Sequence, residues 1–363
     1  MSEVVSGVMP EASLQAALEL APAGSAGEQA GEQASEQSEK QASEQASEQA
    51  KEKVSEQAEQ VAARAVHQLL EAQTLLPLNQ RSNWAGSLRL GTHLAVMVVS
   101  GCLWGQAYSR ALYWQGLPAL VVYGASLAFM FCAVHECVHR TAFASGRVND
   151  AIAWLTGCLS FYNSTFYRRY HKWHHRYTRI EGKDPELLDL QPQTLTEYAW
   201  VLSGIPWWIG KVTGHLKVSL GQLTDCYYLP ESSHASVIRS TRLQLGVYGA
   251  IALLSAALGH PWFLLTYWIL PLAVGQPLLR FVLLAEHTGC TYNDNALANT
   301  RTTLTLWPLR FLMWNMPYHA EHHLYPSVPF HALPQAHTLL KEHFAKVDSG
   351  YLRVNQEIIH GLS

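Results

Sequence analysis

The chain alternates long uncharged stretches with short segments that are rich in charge and histidine. Residues 90–109 and 111–135 contain no Asp, Glu, Lys or Arg, and residues 243–279 form a third uncharged run. A transmembrane helix needs about 20 mainly apolar residues, so each of the first two runs can cross a bilayer once. The third run would be about 55 Å long as a single helix, which is too long for one crossing.

A break near the middle of the third run divides it into two helices. Gly259-His260-Pro261 lies there, and glycine and proline interrupt helices. The pattern therefore predicts two transmembrane hairpins, about 90–109 with 114–134 and about 243–258 with 262–284. Both hairpins would open toward the same side of the membrane.

Basic residues predict which side that is. Lysine and arginine are enriched in cytoplasmic loops, and the segment after the first hairpin is strongly basic, whereas the opposite turns carry little more than Arg110. The basic residues of this segment are Arg140, Arg147, Arg168, Arg169, Lys172, Arg176 and Arg179. The predicted fold is an all-α integral membrane protein, with four spanning helices in two hairpins and a cytoplasmic helical cap. The uncharged run 151–167 is interpreted as a helix lying along the cytoplasmic surface, and so is the mixed segment 198–221, which Pro206-Trp207-Trp208 breaks.

Composition divides the chain into three parts. Residues 25–60 repeat a unit close to Ser-Glu-Gln-Ala, which offers no apolar face and predicts a disordered or loosely helical polar tail over residues 1–80. A membrane domain follows over residues 85–345, and residues 346–363 are predicted to be a C-terminal cytoplasmic tail. The chain is 48% hydrophobic and 15% charged, against about 25% charged in a typical soluble protein.

Charge and cysteine content exclude several classes of protein. The formal net charge is −3 and no basic tract is present, so nucleic-acid binding is not expected. Six cysteines never form a Cys-x-x-Cys pair, which argues against a zinc ribbon, a thioredoxin-type site and a rubredoxin-like iron site. They are interpreted as reduced packing residues.

Three histidine clusters adjoin the predicted spans. They read His135-Glu-Cys-Val-His139, His171-Lys-Trp-His174-His175 and His319-Ala-Glu-His322-His323, and His287 stands alone at the end of the last apolar run. Spacings of three and four place side chains on one face of a helix. Imidazole binds iron, zinc, copper and nickel. Nine imidazoles are too many for one ion, so the clusters predict two metal ions.

The alternative is that these histidines are buried hydrogen-bonding groups or form a pH-sensing interface. That interpretation is preferred for isolated residues such as His93 and His260. For nine histidines at a bilayer edge the metal site is preferred, because ionisable residues within membranes are usually functional.

The three clusters, in this order and with two hydrophobic stretches before the last, resemble the membrane-bound fatty acid desaturase family over about residues 85–345. The resemblance implies two iron ions on the cytoplasmic side, held mainly by histidines. The residues it assigns as ligands are His135, His139, His171, His174, His175, His287, His319, His322 and His323. Some family members have an asparagine one turn before the isolated histidine. Leu283 stands there in this chain, and Asn315 is a candidate to supply the missing contact.

Acidic residues adjoin the clusters, namely Glu136, Asp184, Glu286 and Glu321. A metal-bound histidine usually donates its other ring N–H to a carboxylate or carbonyl, so these residues are predicted to orient the ligands. A glutamate bound directly to metal is the alternative, and Asp184 fits an ordinary surface loop equally well. Arg280 is expected to pair with one of these acids or to cap a substrate head group.

The resemblance implies an oxygen-dependent oxidoreductase that desaturates an aliphatic chain, most simply that of a fatty acyl lipid. A lipid or carotenoid hydroxylase or ketolase with the same diiron site is an alternative, and a histidine-rich metal transporter is an alternative from another class. No iron–sulfur cysteine cluster or dinucleotide-binding glycine motif is visible. Electrons are therefore expected from a separate ferredoxin or small haem protein. The expected location is a membrane, the inner or plasma membrane in a bacterium, with several passes and a cytoplasmic active site.

Overall fold

The computed structural model describes residues 69–362, which are mainly helical. The α-helices are α1 (Ala72–Leu78), α2 (Asn83–Ser109), α3 (Tyr113–Val138), α4 (Gly146–Ser160), α5 (Ser164–Tyr177), α6 (Leu195–Leu202), α7 (Ile205–Ser219), α8 (Glu231–Ala257), α9 (Leu270–His287), α10 (Trp307–Leu312), α11 (His319–Leu324), α12 (Leu333–Leu340) and α13 (Tyr351–His360). The strands β1 (Thr302–Leu304) and β2 (Val347–Ser349) form one parallel pair. Short 3₁₀ turns cover Pro185–Leu188 and Lys341–His343, and a π-helical turn, Leu265–Ile269, leads directly into α9.

Three of the described helices are long and apolar enough to cross a membrane. They are α2, α3 and the continuous helix Leu265–His287, which comprises the π-helical turn and α9. The Ser82 side chain caps the start of α2 by accepting a hydrogen bond from the Ala85 N–H at 3.1 Å. Apolar side chains such as Val98, Val99 and Leu103 stay exposed on α2, as expected of a surface that faces lipid.

The fourth predicted span falls in α8, whose composition is mixed. Its first half carries Glu231, Arg239 and Arg242, and only the part from residue 243 onward is free of charge. That part is shorter than the roughly 20 residues that a complete crossing requires. The three apolar helices agree with an integral membrane protein, and the crossing by α8 stays a prediction.

Helix α3 is the centre of the membrane-spanning core, because α2, α4 and α9 all pack against it. Its closest approach to α9 is at Gly124 and Gly275, where a Cβ on either glycine would overlap backbone atoms of the other helix. Small residues allow such close contact between membrane helices. On the other side, His93 of α2 contacts the Ser126 carbonyl at 2.9 Å and accepts a hydrogen bond from Trp314. His93 is thus a buried hydrogen-bonding residue.

The uncharged run 151–167 is not one helix. Helix α4 ends at Ser160, and Phe161 adopts a left-handed backbone conformation with φ of 61°. Asn163 then caps α5 by accepting from the Phe166 N–H at 3.0 Å. The chain therefore turns sharply before the second histidine cluster.

Residues beyond 345 are integrated into the fold. Strand β2 pairs with β1, and Arg301 forms an ion pair with Asp348 at 2.8 Å. The Asn355 side chain of α13 accepts from the Tyr198 hydroxyl at 2.8 Å and donates to the Phe281 carbonyl at 3.1 Å. The segment predicted as a C-terminal tail thus contributes a strand and a packed helix. Residues 1–68 of the predicted N-terminal tail lie outside the described residues.

The glycine contact between α3 and α9 generates a prediction. Replacing Gly275 with Ala should lower the free energy of unfolding by about 1–3 kcal/mol or more, because the new methyl group meets the α3 backbone. Gly249→Ala in α8 is the matched control, since its Cβ would meet nothing within 4 Å. Thermal denaturation in detergent measures both. Equal melting temperatures for the two variants would show that the helices separate easily at this point.

Candidate metal centre

Four helices bring the histidine clusters to one place. His135 lies in the last turn of α3 and His139 caps that helix, whereas the second cluster occupies the C-terminal half of α5. His287 is the last residue of α9, and the third cluster forms most of α11. The clusters therefore meet at helix ends. The nine histidines that the sequence singles out all lie in this assembly.

Five of the nine histidines form the first group, comprising His135, His139, His171, His175 and His322. Each offers a ring nitrogen, and these nitrogens all lie within 4.8 Å of one another. The Nε2 atom of His175 is 3.0 Å from Nε2 of His171 and 3.1 Å from Nε2 of His322. Nitrogens bound about 2.1 Å from one ion at right angles have a similar separation.

The second group contains His174, His287 and His323. His319 adjoins it, with its Nε2 atom 3.2 Å from Nε2 of His287. His323 and His175 stack with ring centroids 4.1 Å apart, so the two groups touch. The nine imidazoles thus divide into five and four around two neighbouring centres.

The hydrogen-bonding state of these rings fits metal ligands. Several buried ring nitrogens have no hydrogen-bond partner among the described residues, including Nε2 of His135, His139 and His323. Burial lowers the pKa of His171, His175, His319, His322 and His323, which favours the neutral form that binds metal. A neutral imidazole carries one N–H, so close Nε2 pairs cannot all be satisfied by hydrogen bonds. Metal ions would satisfy them.

Three of the imidazole rings are held at Nδ1 by polar residues that lie outside the two histidine groups. His174 Nδ1 is 2.9 Å from a carboxylate oxygen of Asp184, which also accepts from the Arg179 and Glu186 N–H groups. His323 Nδ1 is 3.1 Å from the Thr178 hydroxyl, and His287 Nδ1 is 3.1 Å from the Asn299 carbonyl. Each contact leaves Nε2 to face the centre. Burial opposes a charged His174, but Glu186 and Asp184 outweigh it and raise the pKa of this ring.

The other residues predicted to orient ligands have different surroundings. Glu136 accepts a hydrogen bond from the Phe330 N–H at 3.0 Å, and Asn315 donates to the Phe330 carbonyl at 2.8 Å, so both position the loop after α11. Glu321 contacts His337 at 2.5 Å and the Thr302 hydroxyl, which anchors α11 to α12 and β1. Glu286 lies 3.4 Å from His319 Nε2 and its other oxygen has no hydrogen-bond partner among the described residues.

Sequence reasoning did not find several residues of the site. Glu186 forms a third possible metal-binding group with His171 and His174. Its only signal was its position two residues after Asp184. His337 and Thr302 lack any local signal, because they reach the site from α12 and β1.

A cavity of about 560 Å³ opens beside the two groups. His135, His171, His174, His287 and His319 reach its wall, and so does Glu286. Aromatic rings continue the wall away from the histidines, since Phe131 packs against Tyr162 and Tyr167 with centroids 4.4 and 5.3 Å apart. A substrate in this cavity would lie directly against the candidate ligands.

Comparison with known proteins identifies the family. The family model described as "Fatty acid desaturase" matches residues 112–355, which contain all three clusters and His287. The chain belongs to the fatty acid desaturase family. The resemblance noted from the histidine clusters is thereby confirmed. Membership in the fatty acid desaturase family implies a histidine-ligated iron site, for which the two histidine groups supply suitable ligands.

Members of the fatty acid desaturase family with diverse substrates show moderate similarity to this chain. A Delta(5) fatty acid desaturase of Caenorhabditis elegans is 25% identical over 62% of this chain and 57% of its own length. A dihydrorhizobitoxine desaturase of Bradyrhizobium elkanii is 26% identical over 67% of this chain and 71% of its own length. An sn-1 oleoyl-lipid 12-desaturase of Anabaena variabilis is 22% identical over 78% of this chain and 70% of its own length. The chain thus spans little more than half the length of the C. elegans relative.

The contact between Asp184 and His174 generates a prediction about metal affinity. Asp184→Asn should weaken iron binding by about 10–100-fold, because an amide orients the His174 ring less strongly than a carboxylate does. Iron retained after dialysis against graded chelator concentrations measures the loss. Asp294→Asn, in an exposed loop, is the control and should retain iron as the unaltered protein does. Equal retention by both variants would contradict an orienting role for Asp184.

Proposed function

We propose that the chain is an oxygen-dependent desaturase that introduces a double bond into an aliphatic chain, most simply that of a fatty acyl lipid, at a diiron centre. One observation carries the proposal: nine imidazoles converge in two groups beside a cavity, and two of the helices that carry them, α3 and Leu265–His287, are apolar enough to span a membrane. When bound, the irons supply dioxygen activation and the oxidising power to remove hydrogen from an unactivated C–H bond.

The proposed ligands of the first iron are His135, His139, His171, His175 and His322. The proposed ligands of the second iron are His174, His287, His319 and His323. Asp184 fixes the orientation of His174, and Glu321 holds the helix that carries three ligands. Glu286 lines the cavity beside this centre, 3.4 Å from His319 Nε2, and its other oxygen has no hydrogen-bond partner among the described residues. Glu136 and Asn315 act through the loop at Phe330.

The cavity walls position the substrate and exclude water. Phe131 and Tyr167 cover the approach to His135 and His171, and Tyr167 stacks on the His171 ring at 5.0 Å between centroids. Their rigid rings restrict where a chain can lie. Such restriction decides which C–H bond reacts, because displacement by about 1 Å changes reactivity strongly.

The proposed topology has four crossings, with α8 completing the second hairpin and the histidine groups on the cytoplasmic side. The supporting observations are the three apolar helices and the basic segment that follows α3. Electrons are proposed to come from a separate ferredoxin or small haem protein. A polar N-terminal tail over residues 1–80 that catalysis does not require belongs to the same proposal.

Metal content and product formation test the proposed function together. The detergent-purified chain should contain about two irons and, with dioxygen and an electron donor, should increase unsaturation in co-extracted lipids. His322→Ala removes one proposed ligand of the first iron, so both iron and product should fall by about tenfold or more. His260→Ala, at the exposed turn after α8, is the matched control and should leave both unchanged.

Other outcomes of this experiment separate the alternatives. Two irons with hydroxylated or ketolated product would retain the metal centre but replace the reaction. Zinc in place of iron, or no bound metal after iron supplementation, would overturn the proposed function and favour metal transport.

Sidedness is tested by single cysteine reporters. In a variant with Cys102 and the half-buried Cys158 and Cys226 replaced by Ser, Lys172→Cys should react with a membrane-impermeant maleimide only from the cytoplasmic side, and His260→Cys only from the opposite side. The two positions occupy α5 and the turn between α8 and the last span. Labelling of both reporters from one side would contradict the proposed crossing by α8.

A further inference from the structure

One side of the cavity carries charged side chains that do not pair with one another. Lys211 of α7 and Arg280 of α9 line this side, together with Asp189. Within residues 69–362, none of these three side chains forms an ion pair within 4.0 Å. Glu186 is also there, at 3.6 Å from His174. Charges held in a protein concavity are costly unless they meet opposite charge.

Tyr162 organises the basic part of this surface. Its hydroxyl oxygen accepts hydrogen bonds from Arg280 Nη2 at 3.1 Å and from Trp207 Nε1 at 3.0 Å. Lys211 Nζ lies 3.8 Å from the centroid of the same ring. Because the oxygen accepts from both neighbours, the phenolic hydrogen is left to donate to another group. Lys211, Arg280 and the Tyr162 hydroxyl thus present charge and donors suited to an anionic oxygen.

The acidic part adjoins the basic part. Burial lowers the pKa of Lys211 to about 8, while Asp189 and Glu186 act in the opposite direction through their charge. Asp189 is exposed, whereas Lys211 and Glu186 are half-buried. A purely anionic ligand would be repelled by these acids, and a purely cationic ligand by Lys211 and Arg280. A ligand that carries both charges complements all of them.

The charged surface is close to the candidate metal ligands. Tyr162 packs on Phe131 at 4.4 Å between ring centroids, and Phe131 lies 6.2 Å from His135 by the same measure. Only one aromatic ring therefore separates the Tyr162 side chain from the first histidine cluster. A ligand whose charged end is held at Tyr162 would bring the carbons near that end towards the histidines.

We propose that this cavity binds a zwitterionic head group, in which an ammonium stands close to a carboxylate or phosphate. The anionic oxygens bind Lys211, Arg280 and the Tyr162 hydroxyl, and the ammonium faces Asp189 and Glu186. The head group is that of a soluble amino acid or of a zwitterionic phospholipid. The further statement that oxidation occurs a few bonds from the head group rests on the proposed desaturase function.

Calorimetric titration of the full chain, as purified and without an electron donor, tests binding independently of turnover. The probes are 2-aminohexanoate, hexanoate, hexylamine and hexan-1-ol, which share one carbon chain and differ in charge. We expect 2-aminohexanoate to bind about tenfold or more tightly than the other three, since hydrogen bonds to charged groups are the stronger ones. Monohexanoyl lysophosphatidylethanolamine distinguishes the two sources of the head group. It should bind more tightly than 2-aminohexanoate if the head group is that of a phospholipid, and less tightly if it is that of a soluble amino acid.

Two charge-removing variants test the two halves of the surface. Lys211→Met should weaken binding of 2-aminohexanoate and hexanoate by about tenfold and leave hexylamine no weaker. Asp189→Asn should weaken the binding of 2-aminohexanoate and hexylamine and should not weaken the binding of hexanoate. Lys211→Arg keeps the positive charge and should bind 2-aminohexanoate and hexanoate as the unaltered chain does. Lys341→Met and Asp294→Asn, at exposed positions, control for loss of charge alone.

The outcomes are separable from those of the proposed function. Equal binding of all four probes, or tightest binding of hexan-1-ol, would overturn the zwitterion proposal even in an active diiron desaturase. Charge-selective binding in a protein without iron would uphold the head-group surface and contradict the desaturase function. Melting temperatures close to that of the unaltered chain show that the variants are folded.

Discussion

The crowding of nine imidazoles at buried helix ends is the constraint on which the rest of this structure depends. Desolvation keeps most of these rings neutral, and several Nε2 atoms approach one another to about 3 Å. The Nε2 atom of His175 has either one hydrogen or one lone pair, so it cannot hydrogen-bond fully to both His171 and His322. Metal ions between the rings would satisfy these nitrogens. Without ions, the rings stay this close only if the helices that carry them are held firmly.

Two kinds of contact hold these helices in place, one inside the apolar core and one outside it. Within the apolar core, the glycines at positions 124 and 275 let α3 and α9 approach closely, which fixes His135 and His287 relative to each other. Outside it, the third histidine cluster depends on polar anchors, since Glu321 joins α11 to His337 and Thr302. Packing sets the separation of the helices, and hydrogen bonds set the rotation of the short helix α11. Neither alone would align both histidine groups.

The sequence predicted the part of this architecture that depends on regular patterns. Helical spacing and apolar runs located α2, α3 and the last span, and the histidine spacings located side chains that the fold brings together. Family membership followed from the same clusters. The break at Phe161 was not predictable, because a left-handed residue other than glycine has no clear signature in composition.

Tertiary contacts were equally hidden. Thr178, Asn299 and His337 reach the histidines or their helices from elements that are distant in sequence or lack any motif. Asp184 could be flagged from its proximity to the second cluster, but its bond to His174 depends on the turn that follows α5. The folded contribution of residues 347–360 was missed because their short apolar pattern resembles that of an exposed amphipathic helix.

The parallel pairing of β1 with β2 has a consequence for the order of events during synthesis. Strand β1 lies between His287 and the third histidine cluster, yet its partner is Val347–Ser349, near the end of the chain. Helices α2 and α3 can enter the bilayer while the ribosome is still translating the later clusters. The loop that carries β1 gains its partner only after residue 349 has left the exit tunnel. The pairing that completes this loop therefore forms later than the point at which α2 and α3 can enter the bilayer.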